Sequence, residues 1–316
     1  MKENLVTNQQ QILEEVIHGL SKENKELSSK LFYDEKGSKL FDQICELDEY
    51  YPTRTETKIL KNNLNKILDY FEKDTLFIEL GSGSSTKTRI LLDALNDLTA
   101  YIPVDISEDF LYKTSDQLNA IYPSLNIIPV CTDYTKSFEL PSIEKPVNKT
   151  IVFYPGSTIG NFNPAQAKKF LHLIAEICDS GGGLIIGVDL KKDKKILEAA
   201  YNDSRGITAA FNLNMLRRLN NELNADFDLS KFRHKAYYNE DEGRIEMHLV
   251  STAKQVVTIG NTSFYFQQNE SIHTENSYKY SLDEFKELAS DYFEVKDIWT
   301  DDRQLFSVQY LQVKAG

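Results

Sequence analysis

From residue 75 onward, short apolar runs alternate with amphipathic stretches, and that alternation leaves the chain few folds to adopt. The apolar runs are Leu76 to Leu80, Tyr101 to Val104, Ile127 to Val130, Ile151 to Tyr154 and Leu184 to Val188. Between them, apolar residues recur at helical spacing: Ile90, Leu91 and Leu95, then Phe110, Leu118 and Ile121, then Phe170, Ile174 and Ile177. Asn163-Pro164 opens the third of these stretches with a cap residue followed by a proline at the first helical position. Strand and helix in strict alternation are the signature of a parallel α/β sheet.

The flanking regions break that rhythm. The first 75 residues read as helical and polar, then aromatic through Leu31-Phe32-Tyr33-Asp34 and Glu49-Tyr50-Tyr51-Pro52-Thr53-Arg54, with Gly37 and Pro52 as breaks. After the strand at 184, a helix around Thr208 to Leu223 precedes alternating segments, among them Arg244 to Ser251 and Val256 to Gln267, that suit antiparallel strands. Ser281-Leu282-Asp283-Glu284 is a capping-box pattern ahead of a helix, and Glu294 to Trp299 with Leu305 to Val313 read as a closing strand pair. We therefore expect one α/β domain over 54–195 and 279–316, interrupted by an insertion, and a second α+β domain over 1–53 and 196–278.

Charge and cysteine usage narrow the function. Asp and Glu number 48 against 36 Lys and Arg, a net charge of −12 that repels phosphate backbones and anionic membrane surfaces. No run approaches the roughly 18 apolar residues of a membrane span, and the start Met1-Lys2-Glu3-Asn4 lacks the order of a signal peptide. The expectation is a cytoplasmic monomer acting on a small molecule. Cys45, Cys131 and Cys178 are widely separated and set among apolar neighbours, so they read as core packing. His18, His172, His234, His248 and His273 show no ligand spacing, and no metal is expected.

Gly81 and Gly83, in Glu79-Leu80-Gly81-Ser82-Gly83, follow an apolar run and precede a helix, which lets backbone N–H groups approach a ligand at the carboxyl edge of a sheet. Asp105 ends the next apolar run, where a carboxylate can accept both hydroxyls of a ribose. Asp133-Tyr134 follows the third run, placed for an adenine edge and face. A dinucleotide site prefers a third glycine where this chain has Ser84-Ser85-Thr86, so S-adenosylmethionine, which has no pyrophosphate, fits better. Glu79 and Lys87 could supply opposite charges to its sulfonium and amino-acid tail; on the residues alone, Glu79 could equally cap a loop and Lys87 be solvated.

The motifs Phe32-Tyr33-Asp34, Glu49-Tyr50-Tyr51-Pro52-Thr53-Arg54-Thr55-Glu56, Glu79-Leu80-Gly81-Ser82-Gly83 and Gly156-Ser157-Thr158-Ile159-Gly160-Asn161 occur in that order. Ala200-Tyr201-Asn202-Asp203, Thr208-Ala209-Ala210-Phe211-Asn212-Leu213-Asn214, Ile245-Glu246-Met247 and Thr274-Glu275-Asn276-Ser277 continue the series. Over nearly its whole length the chain resembles the histidine-specific, S-adenosylmethionine-dependent Nα-methyltransferases of ergothioneine biosynthesis. The resemblance implies a Rossmann-like class I methyltransferase domain with a family-specific α+β substrate-binding domain, and trimethylation of the α-amine of free histidine to hercynine. It puts cofactor contacts on Gly81, Lys87, Asp105, Asp133 and Tyr134, the residues selected by spacing together with the lysine that spacing only suggested. It puts substrate contacts on Tyr50, Asn161, Tyr201, Phe211 and Met247, with Glu275 and Ser277 on the imidazole and Tyr33, the catalytic candidate, near the amine.

Those residue types suit the chemistry. Methyl transfer from a sulfonium is an in-line displacement that needs a neutral, aligned amine more than a strong base. Asn161 and the hydroxyls of Tyr50 or Tyr201 offer neutral donors to a carboxylate, although each could as well be an ordinary loop or core residue. A carboxylate at 275 and a hydroxyl at 277 can serve the two ring nitrogens of an imidazole, and would otherwise be solvated on one face of an edge strand. Tyr33 and Phe211 can hold a methylated cation by cation–π attraction or merely pack; Met247, alternating with Ile245 and Leu249, reads by period as a core residue. Asn276 stands where an aliphatic residue is the family expectation. Two alternatives remain: N-methylation of another aromatic amino acid such as tryptophan, against which Glu275 and Met247 argue, and a silent S-adenosylmethionine-binding partner, against which intact Tyr33 and Asn161 argue.

Overall fold

A computed structural model describes residues 2–83 and 85–315, with side chains from residue 9 onward. Met1 and Ser84, which belong to the polar start and to the stretch lacking a third glycine, lie outside the described residues. The strands in chain order are β1 (Thr75–Leu80), β2 (Leu98–Asp105), β3 (Val130–Cys131), β4 (Lys149–Tyr154) and β5 (Gly183–Asp189). They continue with β6 (Phe232–Asn239), β7 (Arg244–Ser251), β8 (Gln255–Ile259), β9 (Thr262–Phe266), β10 (Ser271–Tyr278), β11 (Phe293–Thr300) and β12 (Phe306–Val313). The chain divides into two compact units, one of Met1–Tyr51 with Lys192–Ser277 and one of Pro52–Lys191 with Tyr278–Gly316.

The second unit is a seven-stranded sheet in the order β11-β12-β5-β4-β1-β2-β3. Strands β1 to β5 pair in parallel, and β12 and β11 add on as antiparallel strands at one edge. Every residue of β1 and β5 is buried, because helices cover both faces of a sheet wound this way. Strand alternation sends Ile78, Leu80, Ile102, Val104, Val152 and Tyr154 into one apolar layer. Phe77, Tyr101, Ile151 and Phe153 enter the other. Asn163 caps the helix Pro164–Cys178 reciprocally with Gln166, and Ser281 caps Leu282–Ala289 reciprocally with Glu284.

Within that sheet β1 separates β2 and β3 on one side from β4 and β5 on the other, so the connections leave β1 in opposite directions. The crevice at the carboxyl ends of strands around such a switch point is where open α/β sheets bind ligands. Gly81, Asp105 and Gly156 all stand at that edge, after or at the ends of β1, β2 and β4.

The first unit pairs β10, β7 and β6 in a three-stranded sheet and adds a β8–β9 hairpin. Asp203 accepts the Ile207 and Thr208 amides, each at 2.8 Å, and so starts the helix Ile207–Leu223. Wholly buried Asn212 on that helix ties it to all three strands: to His234 Nδ1 at 2.9 Å, the His248 carbonyl at 3.1 Å and the Thr274 hydroxyl at 2.8 Å. Asp34 accepts the Gly37 amide at 2.6 Å to start the helix Glu35–Cys45, and the Asn214 amide at 2.8 Å fastens that start to Ile207–Leu223.

Three local expectations are corrected. The run Val256 to Gln267 is two strands joined at Gly260-Asn261, with Ile259 opposite Thr262 and Gly260 at φ +57. A two-residue turn of that type was in the sequence to be read. The third apolar run makes a strand only at Val130–Cys131, with Ile127 reduced to a single bridge to Tyr101, since β3 is an edge strand with one neighbour. For the same reason Cys131 is exposed rather than core packing; Cys178 is buried and Cys45 intermediate.

Candidate active site

In the second unit the turn after β1 is held by its neighbours. The Gly81 amide donates to the Val104 carbonyl at 2.8 Å, and the Gly83 amide donates to Asp105 Oδ2 at 3.1 Å. Both glycines have positive φ, +73 and +46. A Cβ at Gly81 would come within 3.1 Å of the Tyr134 hydroxyl, so glycine lets that ring close over the turn as well as permitting the backbone angle. Asp105 Oδ1 accepts the Ser107 amide at 2.9 Å. Burial raises the Asp105 carboxyl above its ordinary range, while the Ser107 and Gly83 amides oppose that. The Asp105 carboxylate retains acceptor capacity for a hydroxyl. Tyr134 is half-buried against Tyr154 and Phe170, ring centroids 6.1 Å away in each case, and burial pushes its hydroxyl well up. Asp133 Oδ1 takes the Thr135 amide and hydroxyl at 3.1 and 2.6 Å. A glycine cradle, an acceptor carboxylate and an aromatic face within one sheet edge suit a nucleoside such as that of S-adenosylmethionine.

Glu79 lies inside the sheet rather than at its surface. The side chain is buried, its oxygens engaged by the Thr88 and Tyr101 hydroxyls. Burial lifts its carboxyl to about 8 against those hydroxyl bonds. Lys87, far from solvated, meets Glu56 Oε2 at 2.5 Å with its side chain only 17% exposed.

After β4, Gly156 (φ +82) and Ser157 (φ 58) turn the chain into a 3-10 turn, Thr158–Asn161, that ends at half-buried Asn161. The Asp189 amide donates to Ser157 Oγ at 2.9 Å, fastening this loop to the end of β5.

In the first unit the aromatic residues converge. Tyr33 lies edge-on to Phe211 at 5.9 Å and to Phe41 at 5.8 Å; Phe41 reaches Phe211 at 6.1 Å and Tyr50 at 6.3 Å; Tyr50 reaches Tyr201 at 6.3 Å. The Tyr201 hydroxyl donates to Ser277 Oγ at 2.8 Å. Burial pushes the Tyr50 hydroxyl far up, and nearby Tyr201, Cys45 and Glu275 add to it. Glu275 stands two positions before Ser277 on β10, on the same face of that strand. Tyr33, Tyr50, Tyr201, Phe211, Glu275 and Ser277 are thus brought together. Met247 is buried in β7, beside β10, opposite Ala236 of β6. Phe41, which links the rings, was missed: it lies eight positions from Tyr33 on a polar helix, and nothing local marks it.

The fold also assembles histidines that sequence spacing left apart. His248 and His273 stack at 4.9 Å, and their ligand atoms lie with Glu246 within 4.8 Å of one another, a set that could hold a metal ion. Glu246 is already engaged: Oε2 takes Tyr237 at 2.7 Å and His248 at 3.1 Å, while Oε1 takes Asn239 at 2.9 Å and Arg244 at 2.8 Å. Burial works against ionisation here, but these four partners hold the carboxyl down at about 2, and a guanidinium on the same oxygen opposes a cation. The cluster reads as a structural network on β6, β7 and β10.

Comparison with known proteins follows the same lines. A family profile described as histidine-specific, S-adenosylmethionine-dependent methyltransferase matches residues 12–313. The histidine N-alpha-methyltransferase of Mycolicibacterium smegmatis is 42% identical over 290 residues, covering 90% of this chain and 89% of its own. That of Mycobacterium tuberculosis is 41% identical over 271 residues, covering 84% and 83%. A solved S-adenosylmethionine-dependent methyltransferase from Clostridium acetobutylicum superposes with a TM-score of 0.50 at 10% identity over 89% of this chain and 98% of that one, a likeness of fold alone. The Rossmann-like fold and the S-adenosylmethionine cofactor read from the sheet edge are those of these enzymes. The chain belongs to the histidine-specific, S-adenosylmethionine-dependent methyltransferase family.

Proposed function

We propose that this enzyme transfers three methyl groups from S-adenosylmethionine to the α-amine of free L-histidine, giving hercynine for ergothioneine biosynthesis. The observation that carries the reading is the Tyr201–Ser277 hydrogen bond beside the aromatic cluster that includes Tyr50, with Glu275 on the same face of β10 as Ser277. The names of the mycobacterial relatives support it. The cofactor supplies an electrophilic methyl on a sulfonium; the chain has to bind, orient and desolvate the acceptor.

Gly81, Asp105, Asp133, Tyr134 and Lys87 hold the donor in this reading. Glu275 accepts one imidazole N–H and the Ser277 hydroxyl serves the other ring nitrogen, with Tyr201 fixing that hydroxyl through its 2.8 Å hydrogen bond. Tyr50 and Asn161 give the carboxylate neutral donors, which hold it without a full ion pair; the one Tyr201 proton is engaged by Ser277. Tyr33 stands by the amine, and the faces of Tyr33 and Phe211 accommodate the growing cation. Met247 lines the ring side. The enzyme acts as a monomer in the cytoplasm, on a free amino acid rather than on nucleic acid or membrane, in keeping with its net charge of −12.

Calorimetry on Glu275→Ala tests the assignment of the imidazole. Histidine affinity is expected to fall about tenfold or more, the scale of a lost charge-assisted hydrogen bond, while S-adenosylmethionine affinity stays within about twofold. Equal loss of both ligands would remove Glu275 from the substrate ring, and a gain for tryptophan over histidine in the unsubstituted enzyme would favour an indole acceptor.

A further inference from the structure

Glu56 is wholly buried on the helix Tyr51–Asn62, yet its carboxylate serves the loop at Gly156 and the helix Thr86–Leu92 rather than its own helix. It accepts the Gly156 amide at 3.0 Å on Oε1 and 2.9 Å on Oε2, and pairs with the Lys87 ammonium at 2.5 Å. Gly187 in β5 leaves room for it: a Cβ there would lie 2.0 Å from Glu56 Oε1. A buried carboxylate is costly unless paired and hydrogen-bonded, and here both requirements are met by groups at the carboxyl edge of the sheet.

Those two groups belong to different binding tasks. Lys87 stands on the first turn of the helix Thr86–Leu92 after the glycine turn. Gly156 begins the left-handed turn that leads to Asn161. A Cβ on Gly156 would lie 3.6 Å from Lys87 Nζ, so the lysine, the loop amide and the carboxylate are in one packed cluster. Moving any one of the three strips a buried charge of its partner.

We propose that Glu56 is a positioning residue: its carboxylate sets Lys87 for the cofactor and the Gly156–Asn161 loop for the amino acid, coupling both binding events through one side chain. This rests on Lys87 acting on the cofactor and Asn161 on the amino acid. An amide at 56 keeps an oxygen for the Gly156 N–H but no longer neutralises Lys87, whereas alanine loses both functions.

The test is calorimetry with S-adenosylhomocysteine, and with histidine at saturating S-adenosylhomocysteine, on the full chain and on Glu56→Gln, Glu56→Ala, Lys87→Met and Glu56→Gln with Lys87→Met. Glu56→Gln is expected to weaken S-adenosylhomocysteine about tenfold and histidine less than about threefold; Glu56→Ala weakens both about tenfold. In the Lys87→Met background, Glu56→Gln adds less than about twofold, because the partner it orients is gone. The near-isosteric Gln variant carries the test where the Ala variant fails to fold. Unchanged S-adenosylhomocysteine affinity in Glu56→Gln, with Lys87→Met weakened, overturns the positioning role alone. Full additivity of the two substitutions overturns it as well. Unchanged affinity in Lys87→Met removes Lys87 from the cofactor site and the coupling with it.

Discussion

At the scale of single residues, two acids at the ends of adjacent strands meet opposite fates. Asp105 keeps backbone amides on both oxygens with capacity to spare, whereas Glu79 is enclosed by hydroxyls and burial. Asp105→Ala is therefore expected to weaken S-adenosylmethionine by about 1 to 3 kcal/mol, the range for hydrogen bonds to a charged group; calorimetry showing no change would take Asp105 out of the site. Glu79 affects stability. Its folded value of about 8 stands above the ordinary 4.5, so the folded chain keeps a proton that the unfolded chain releases between those pH values. Its contribution is complete below the lower value and is lost as pH rises through the upper one. Urea unfolding at acidic and at alkaline pH should show the native chain losing a few kcal/mol relative to Glu79→Gln across that window. Parallel stability curves for the two proteins would contradict it.

Elements form where local chemistry and long-range packing agree. Ser281 and Glu284 satisfy each other's amides at the start of Leu282–Ala289, and Ser281→Ala should cost about 1 kcal/mol in thermal or urea unfolding; an unmoved midpoint would show that the cap contributes nothing. The Ser281–Glu284 capping box, the Asn163 cap, the parallel strands and the glycine turn were legible in sequence because their signals are local: cap residues, apolar runs, a break. Val256 to Gln267 was misjudged where the Gly260-Asn261 turn was passed over, and the third strand where an edge position shortened it. The candidate site was legible to the same extent. Gly81, Asp105, Asp133 and Tyr134 follow consecutive strands and declare themselves by spacing. Tyr33, Phe41, Tyr50, Tyr201 and Phe211 come from distant parts of the chain and meet only through tertiary packing, so composition and period could not select them. Glu56 ends one of the sequence motifs, but its partners are 31 and 100 positions away.

Over the whole chain, a strand-and-helix sheet begun at β1 is completed by β11 and β12 after a long excursion that builds a second compact unit. That order of segments puts the residues proposed to hold the donor in one unit and most of those proposed to hold the acceptor in the other. Among the described residues no helix is long and apolar enough to cross a membrane. The central claim is about the acceptor and the number of methyl groups it receives. Incubating the purified chain with excess S-adenosylmethionine and each free amino acid in turn, then reading product mass, tests it most directly. Histidine alone should progress to a species carrying three added methyl groups, with a matching yield of S-adenosylhomocysteine; histidine left unmodified, or another amino acid methylated in preference to it, would contradict the account.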